Sequence, residues 1–276
     1  MLDVIDQILF SKDNRRFREI EIIANNALKS YCGDTIIRDR IFNSIRTYAK
    51  IKDLPIEILR FPIQDNELWA FTFLKKGVIF VCINTALSVC KQIFAAAHEF
   101  YHIICYVEDT DQNSIRNGSM LHGKDEDDIV GDQEEIEANA FAGLLLMPTE
   151  EVDKQLRLLS IEGTNISVDD VLYMMDIFAV PYKACVLRLL ECGTISAEKT
   201  RELYFTKWSY VHERMILTGK AKRWNLSGKG TEVFGSLLEN FDYNLKHELL
   251  TNERAKSDGE FISQLKEKYE LDEVEE

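Results

Sequence analysis

An apolar run of the sequence, Ile93-Phe94-Ala95-Ala96-Ala97 continuing at Ile103-Ile104, is interrupted by His98-Glu99-Phe100-Tyr101-His102. The run has the length and alanine content of a helix that packs in a core. Burying two imidazoles and a carboxylate there is costly unless they find partners. That requirement constrains the fold, and a metal ion is the obvious partner. Positions 98 and 102 lie four apart, so both rings share one helix face and can reach one metal ion. Glu99 is turned about 100° from His98, which sets its carboxylate beside such an ion without making it a ligand. The pattern is H-E-x-x-H, in which zinc lowers the pKa of a water to about 7 and the glutamate takes its proton.

A catalytic zinc site takes three protein ligands and keeps one position open. Outside the pair, the chain has only His122, His212 and His247. The run Glu134-Glu135-Ile136-Glu137-Ala138-Asn139 offers carboxylates instead. Glu135 and Asn139 are spaced i, i+4, so Glu135 is the expected third ligand and Asn139 the expected hydrogen-bond partner of a ligand histidine's far nitrogen. Glu134 and Glu137 are the alternative ligands. Ile136, Ala140 and Leu144 form an adjacent apolar stripe, and the small Ala138, Ala142 and Gly143 allow this helix to approach the first. His122, Tyr101 and Tyr106 are candidate donors to a tetrahedral oxyanion. Cys105 shares the helix face of the histidines, as a core thiol or as a further contact of the metal.

Along the chain, apolar residues recur at helical spacing through Phe17–Ala27 and Ile36–Tyr48. Ile56–Phe61 alternates like a strand, and Leu68–Leu74 and Val78–Ile83 flank a Lys75-Lys76-Gly77 turn as a hairpin. Asn84 and Thr85 offer a cap for the histidine helix. An acidic loop is expected over 108–132, and the second helix, about Glu134–Met147, stops at Pro148. Helical patterns follow at about Thr149–Ser160, Val168–Phe178 and Tyr182–Glu191, with Ser167 as N-cap and Gly193 as C-cap. The expected class is α+β with one small sheet. Four parts are expected: a helical N-terminal segment 1–52, a core 53–150, a helical unit 151–195 and a helical extension 196–276. The strand Val78, Ile79, Phe80, Val81, Cys82, Ile83 is expected to line the cleft and accept an extended peptide by strand addition.

Charge narrows the function classes. The chain carries 33 Lys+Arg against 47 Asp+Glu, a formal net charge of −14. Eleven carboxylates lie between Glu108 and Glu137 against Arg116 and Lys124, the reverse of what a phosphate groove needs. The basic stretch Lys207, Arg214, Lys220, Lys222, Arg223 and Lys229, with Trp208 and Trp224, reads as a solvated face. In the helix pair 168–192, the second helix offers only Lys183 and Arg188, which favours structure or protein docking over a DNA groove. Six cysteines without a C-x-x-C pair read as reduced thiols. The longest apolar runs fall far short of a membrane span, and MLDVIDQILF carries two Asp where a signal peptide would be basic. A cytoplasmic location is expected.

The order strand, hairpin ending Ile83-Asn84, HEFYH helix and then ExEANxFAGLLLMP (Glu135–Pro148) resembles the ImmA/IrrE family of metallopeptidases. The resemblance runs from about Pro55 to Pro148 and more weakly through the helix pair, where the family carries a helix-turn-helix-like unit. It implies a zincin-like core, one zinc per chain and zinc-dependent endoproteolysis of narrow specificity. By position, the implied ligands are His98, His102 and Glu135, and the implied base is Glu99. The implied partner is a helix-turn-helix repressor or a similar regulatory protein. The competing expectations are a non-proteolytic protein that sequesters a repressor or toxin, and a DNA-binding regulator working through the helix pair. Tyr101 stands where the family commonly has a small residue, and the segment after Thr200 matches nothing in that pattern.

Overall fold

In a computed structural model, which describes residues 14–108, 119–122, 133–161, 163–227 and 233–268, the chain begins with α1 (Arg15–Ala27). Asn14 caps it by accepting from the Arg16 N–H, and a single π turn then leads to Gly33 in the left-handed region. α2 (Ile41–Ile51) follows, and Pro55 leads into β1 (Ile56–Phe61). β2 (Leu68–Lys75) and β3 (Val78–Asn84) form the expected hairpin. Its turn residues Lys76 and Gly77 both have positive φ, the conformation whose twist suits a two-residue hairpin loop.

Among the described residues the sheet has five strands in the order β4-β2-β3-β1-β5. β3 pairs antiparallel with β2 (Ala70 opposite Ile83) and parallel with β1 (Ile58 opposite Val81). This corrects the expectation for Val78–Ile83: a strand bonded on both sides has no free edge to offer a peptide. Two strands were not anticipated. β4 (Ser119–His122) lies within the stretch expected as a loop over 108–132, and β5 (Val233–Phe234) comes from the C-terminal extension. The other residues of the acidic stretch, 109–118 and 123–132, fall outside the described ones.

α3 (Val89–Glu108) packs on β2 and β3, and α4 (Gln133–Leu146) is held between α3 and α1. Beyond its first turns α4 is apolar nearly all round, with Ala138, Ala140, Phe141, Ala142, Leu144, Leu145 and Leu146 buried. A helix enclosed on several sides needs no polar face. The start of α3 is set differently from expectation. Asn84 does not cap it; its side chain accepts from the N–H groups of Ile63 and Ala86 and donates to the carbonyls of Asp65 and Leu68. It thereby ties the β1–β2 connection to the end of β3. The first N–H of α3, that of Val89, donates to the Leu226 carbonyl of the C-terminal extension.

α5 (Thr149–Leu158), α6 (Val168–Phe178), α7 (Tyr182–Glu191), α8 (Ala197–Tyr204) and α9 (Trp208–Thr218) complete the helical part. The α10 (Leu237–Lys246) and α11 (Asn252–Lys268) hairpin follows, anchored where Ser236 donates to Glu57 of β1. Ser167 and Asp170 form a reciprocal capping box at α6, and Gly193 ends α7 at positive φ. One hydrophobic cluster runs from Phe17 on α1 to Ala221 beyond α9, through all four sequence segments.

The basic residues of the helix pair lie as a structural role requires. Arg188 is 1% exposed and donates to the Met147 carbonyl and Thr149 Oγ1 at the α4–α5 junction, with Glu191 3.3 Å away. It cannot reach a DNA groove, and Lys183 lies over the Tyr204 ring. The basic stretch is not a bare solvated face either: Arg214 pairs with Asp169, Arg223 with Asp176, and Lys220 sits over Tyr173, all on α6. Burial pushes the Glu191 carboxyl up to about 7, with Arg188 partly offsetting it. Arg188→Ala is expected to cost about 3–5 kcal/mol, because it leaves Glu191 and the Met147 carbonyl without their buried partner. Denaturant unfolding of the variant, compared with wild type, checks this; an unchanged midpoint would refute the assigned role.

Candidate metal centre

The flanks that make α3 a core helix also bury its polar residues: His98 and Glu99 are 0% exposed and His102 1%. α4 crosses beside them, its Phe141 ring packed edge-on against Phe100 and tilted against Tyr101. Buried Ala138 and Ala142 leave room for the two backbones to approach. This register brings the first turns of α4 onto the histidine face of α3.

The outer nitrogen of each ring is held from α4. His98 Nδ1 lies 3.0 Å from Asn139 Oδ1, and His102 Nδ1 lies 3.0 Å from Glu134 Oε1. An amide oxygen and a carboxylate can only accept, so neutral rings in this arrangement would carry their protons on Nδ1 and turn the Nε2 lone pairs inward. Those lone pairs converge on each other at 3.2 Å and on Glu135, at 3.1 Å from His98 and 3.4 Å from His102. Three electron-pair donors facing one another repel unless a cation lies among them. Ligands held tetrahedrally at about 2.0–2.1 Å from zinc stand about 3.3 Å apart, so the spacing fits that ion. His98, His102 and Glu135 are the described residues able to hold a metal together. The field around them also favours a cation. Burial disfavours a charged His102 ring, yet the Glu134 hydrogen bond and the charges of Glu99, Glu135 and Glu134 outweigh it and raise its pKa.

Glu99 acts electrostatically on the sheet that α3 covers. The Cys82 thiol of β3 is pushed up to about 12, first by burial and then by the Glu99 charge. The middle of β3 therefore backs the catalytic candidate.

Other candidates separate cleanly. Asn139 occupies its expected place. Glu134, an alternative ligand from the sequence, instead holds a ligand ring. Glu137 points away to a cluster that includes α1: Arg16 donates to it through Nε (2.9 Å) and Nη2 (2.7 Å), and the Tyr101 hydroxyl donates to it at 2.7 Å. Burial alone would raise the Glu137 carboxyl, but these bonds outweigh it and hold it low. Tyr101 is thus committed to a buried structural bond and is no oxyanion donor; its hydroxyl is pushed well above the usual range, chiefly by burial. Cys105 sits against Tyr101 rather than at the convergent donors, and burial lifts its thiol to about 11. Tyr106 is half-buried against the core. His122 lies on β4, where only the backbone is described. His212 packs near Trp208 and His247 near Tyr243, both in the C-terminal extension.

Sequence reasoning missed Arg16 altogether and had Glu134 only as an alternative ligand. A signal for Glu134 existed: two ligand histidines have two outer nitrogens, and Asn139 can serve only one.

A mixed sheet carrying a buried H-E-x-x-H helix, with a second helix that supplies a carboxylate to both imidazoles, defines a zincin-like α+β protein with a candidate metal centre. Residues 51–189, just over half the chain, match the peptidase family model described as the IrrE N-terminal-like domain, and the chain belongs to that family. No curated protein matches the sequence. The membership makes the chain a peptidase of metallopeptidase type. Among the described residues, no helix is long and apolar enough to cross a membrane.

Two of the three glutamates of α4, Glu135 and Glu137, should respond oppositely. Glu135→Ala is expected to lose most of the zinc affinity, since it removes the donor shared by both imidazoles. Glu137→Ala is expected to keep the metal but lose about 1–3 kcal/mol of stability, because the buried Tyr101 hydroxyl loses its acceptor. Chelator-competition titration and thermal unfolding of both variants check this; the reverse pattern would place the helix register in error.

Proposed function

We propose that this chain is a cytoplasmic, zinc-dependent endopeptidase of narrow specificity that cleaves a helix-turn-helix repressor or a similar regulatory protein. The observation that carries the reading is the pair of Nε2 atoms turned toward Glu135, with buried Glu99 next to His98 on the same helix. Two imidazoles and one carboxylate suit zinc better than magnesium or calcium, which take oxygen ligands. When bound, zinc acts as a Lewis acid that lowers the pKa of a water to about 7. Glu99 then accepts the proton of the attacking water and returns it to the leaving amine. His98, His102 and Glu135 would hold the centre, and Asn139 faces the outer nitrogen of the His98 ring.

The substrate path moves from β3 to β4. Among the described strands β4 is the terminal one on its side of the sheet, and a terminal strand is where an extended peptide can add. A protein partner is favoured over DNA, because Arg188 is buried and Lys183 is engaged with Tyr204. The test incubates the purified chain with candidate helix-turn-helix proteins, with zinc and with a chelator, and reads fragments by mass spectrometry. Cleavage that requires zinc is expected. Tight binding without cleavage by zinc-loaded protein would replace this reading with sequestration.

A further inference from the structure

Both ligand histidines are held from behind, but by groups of different charge. His98 Nδ1 meets the neutral amide of Asn139, whereas His102 Nδ1 meets the carboxylate of Glu134, each at 3.0 Å. We propose that Glu134 is a positioning residue: its carboxylate fixes the tautomer and plane of His102 and makes Nε2 of that ring the stronger metal donor. The inference rests on the metal-centre reading above and adds to it a residue that binds no metal itself.

A hydrogen bond from Nδ1–H to a carboxylate is roughly twice as strong as one to a neutral acceptor. It also pushes electron density across the ring toward the opposite nitrogen. His102 is buried, while the Glu134 side chain is 32% exposed, so the carboxylate keeps its hydration on one side while it holds the ring on the other. The bond spans two helices. It therefore couples the α3–α4 packing to the direction of the His102 lone pair, as Asn139 does for His98.

Glu134 also lies in the first turn of α4, where an acidic residue favours the helix through its dipole. The experiment must separate that structural effect from positioning. Three forms are compared: wild type, Glu134→Gln, which keeps an acceptor without the charge, and Glu134→Ala, which removes both. Long-range proton–nitrogen NMR of the metal-free proteins, at a pH where the rings are neutral, reads the tautomer of His102. Zinc affinity comes from competition with a chromophoric chelator, and thermal unfolding of the metal-free proteins reports the helix effect.

His102 is expected to carry its proton on Nδ1 in wild type and to lose that preference in Glu134→Ala. Zinc affinity is expected to fall about 10–100-fold in Glu134→Ala, with Glu134→Gln in between. A helix-end role alone would shift unfolding and leave the tautomer unchanged. An Nε2–H tautomer in wild type, or an affinity for Glu134→Ala within about twofold of wild type, would overturn the assignment. A wild type that binds no zinc would instead overturn the metal-centre reading, and the metal-free spectra would still decide for or against Glu134.

Discussion

Glu99→Gln is expected to lower turnover by about a thousandfold or more, roughly 4 kcal/mol of transition-state stabilisation, while zinc content and fold survive. The substitution keeps size and polarity at a position that is 0% exposed, so the packing of α3 has no reason to change. What disappears is the ability to accept a proton from the attacking water. The convergent donors are untouched, and the variant is expected to bind its partner and hold it uncleaved. If the chain works by sequestration, the same variant should retain nearly all its biological effect. The assay is partner cleavage or repressor release by the two proteins, with zinc measured in each. Wild-type activity in zinc-loaded Glu99→Gln would end the proteolytic reading.

His98→Ala and His102→Ala are each expected to abolish zinc binding, from one ion per chain to none after dialysis. Each removes one of three donors whose contact atoms lie within 4.8 Å of one another. The remaining two cannot enclose a tetrahedral ion. Each change also removes a hydrogen-bond partner of a group on α4, Asn139 in one case and Glu134 in the other. Far-ultraviolet circular dichroism therefore accompanies the metal analysis, to separate lost coordination from lost structure. Full zinc occupancy in either variant would place the metal elsewhere.

The site was legible in the sequence to the extent that its geometry is local. His98 and His102 face one way because a helix repeats every 3.6 residues, whatever surrounds it. The same rule ties Glu135 to Asn139, and local turn chemistry marks Lys76-Gly77, Ser167 and Gly193. Rotation between neighbours on a helix does not say which side of α4 meets α3. Spacing to Asn139 favoured Glu135 among three carboxylates within four positions, but only packing showed Glu134 beside His102 and Glu137 turned to Arg16 and Tyr101. Arg16 decides the fate of Glu137 from 121 residues away, and no spacing rule reaches that far.

Strand neighbours behaved the same way. Val78–Ile83 reads correctly as a strand, because alternation and a turn signal are local properties. Its place in the middle of the sheet depends on β1 pairing in parallel and on β4 and β5 arriving from distant segments to form the flanks. Arg188 carries a charge in the sequence and looks like a surface residue; only the carbonyl of Met147 and the hydroxyl of Thr149, brought together at the α4–α5 junction, make its burial affordable. By itself, then, the sequence determined which side chains share a face, since backbone geometry repeats over a few residues. The tertiary structure alone decided which faces meet, since that depends on burying apolar surface and satisfying polar groups across the whole chain.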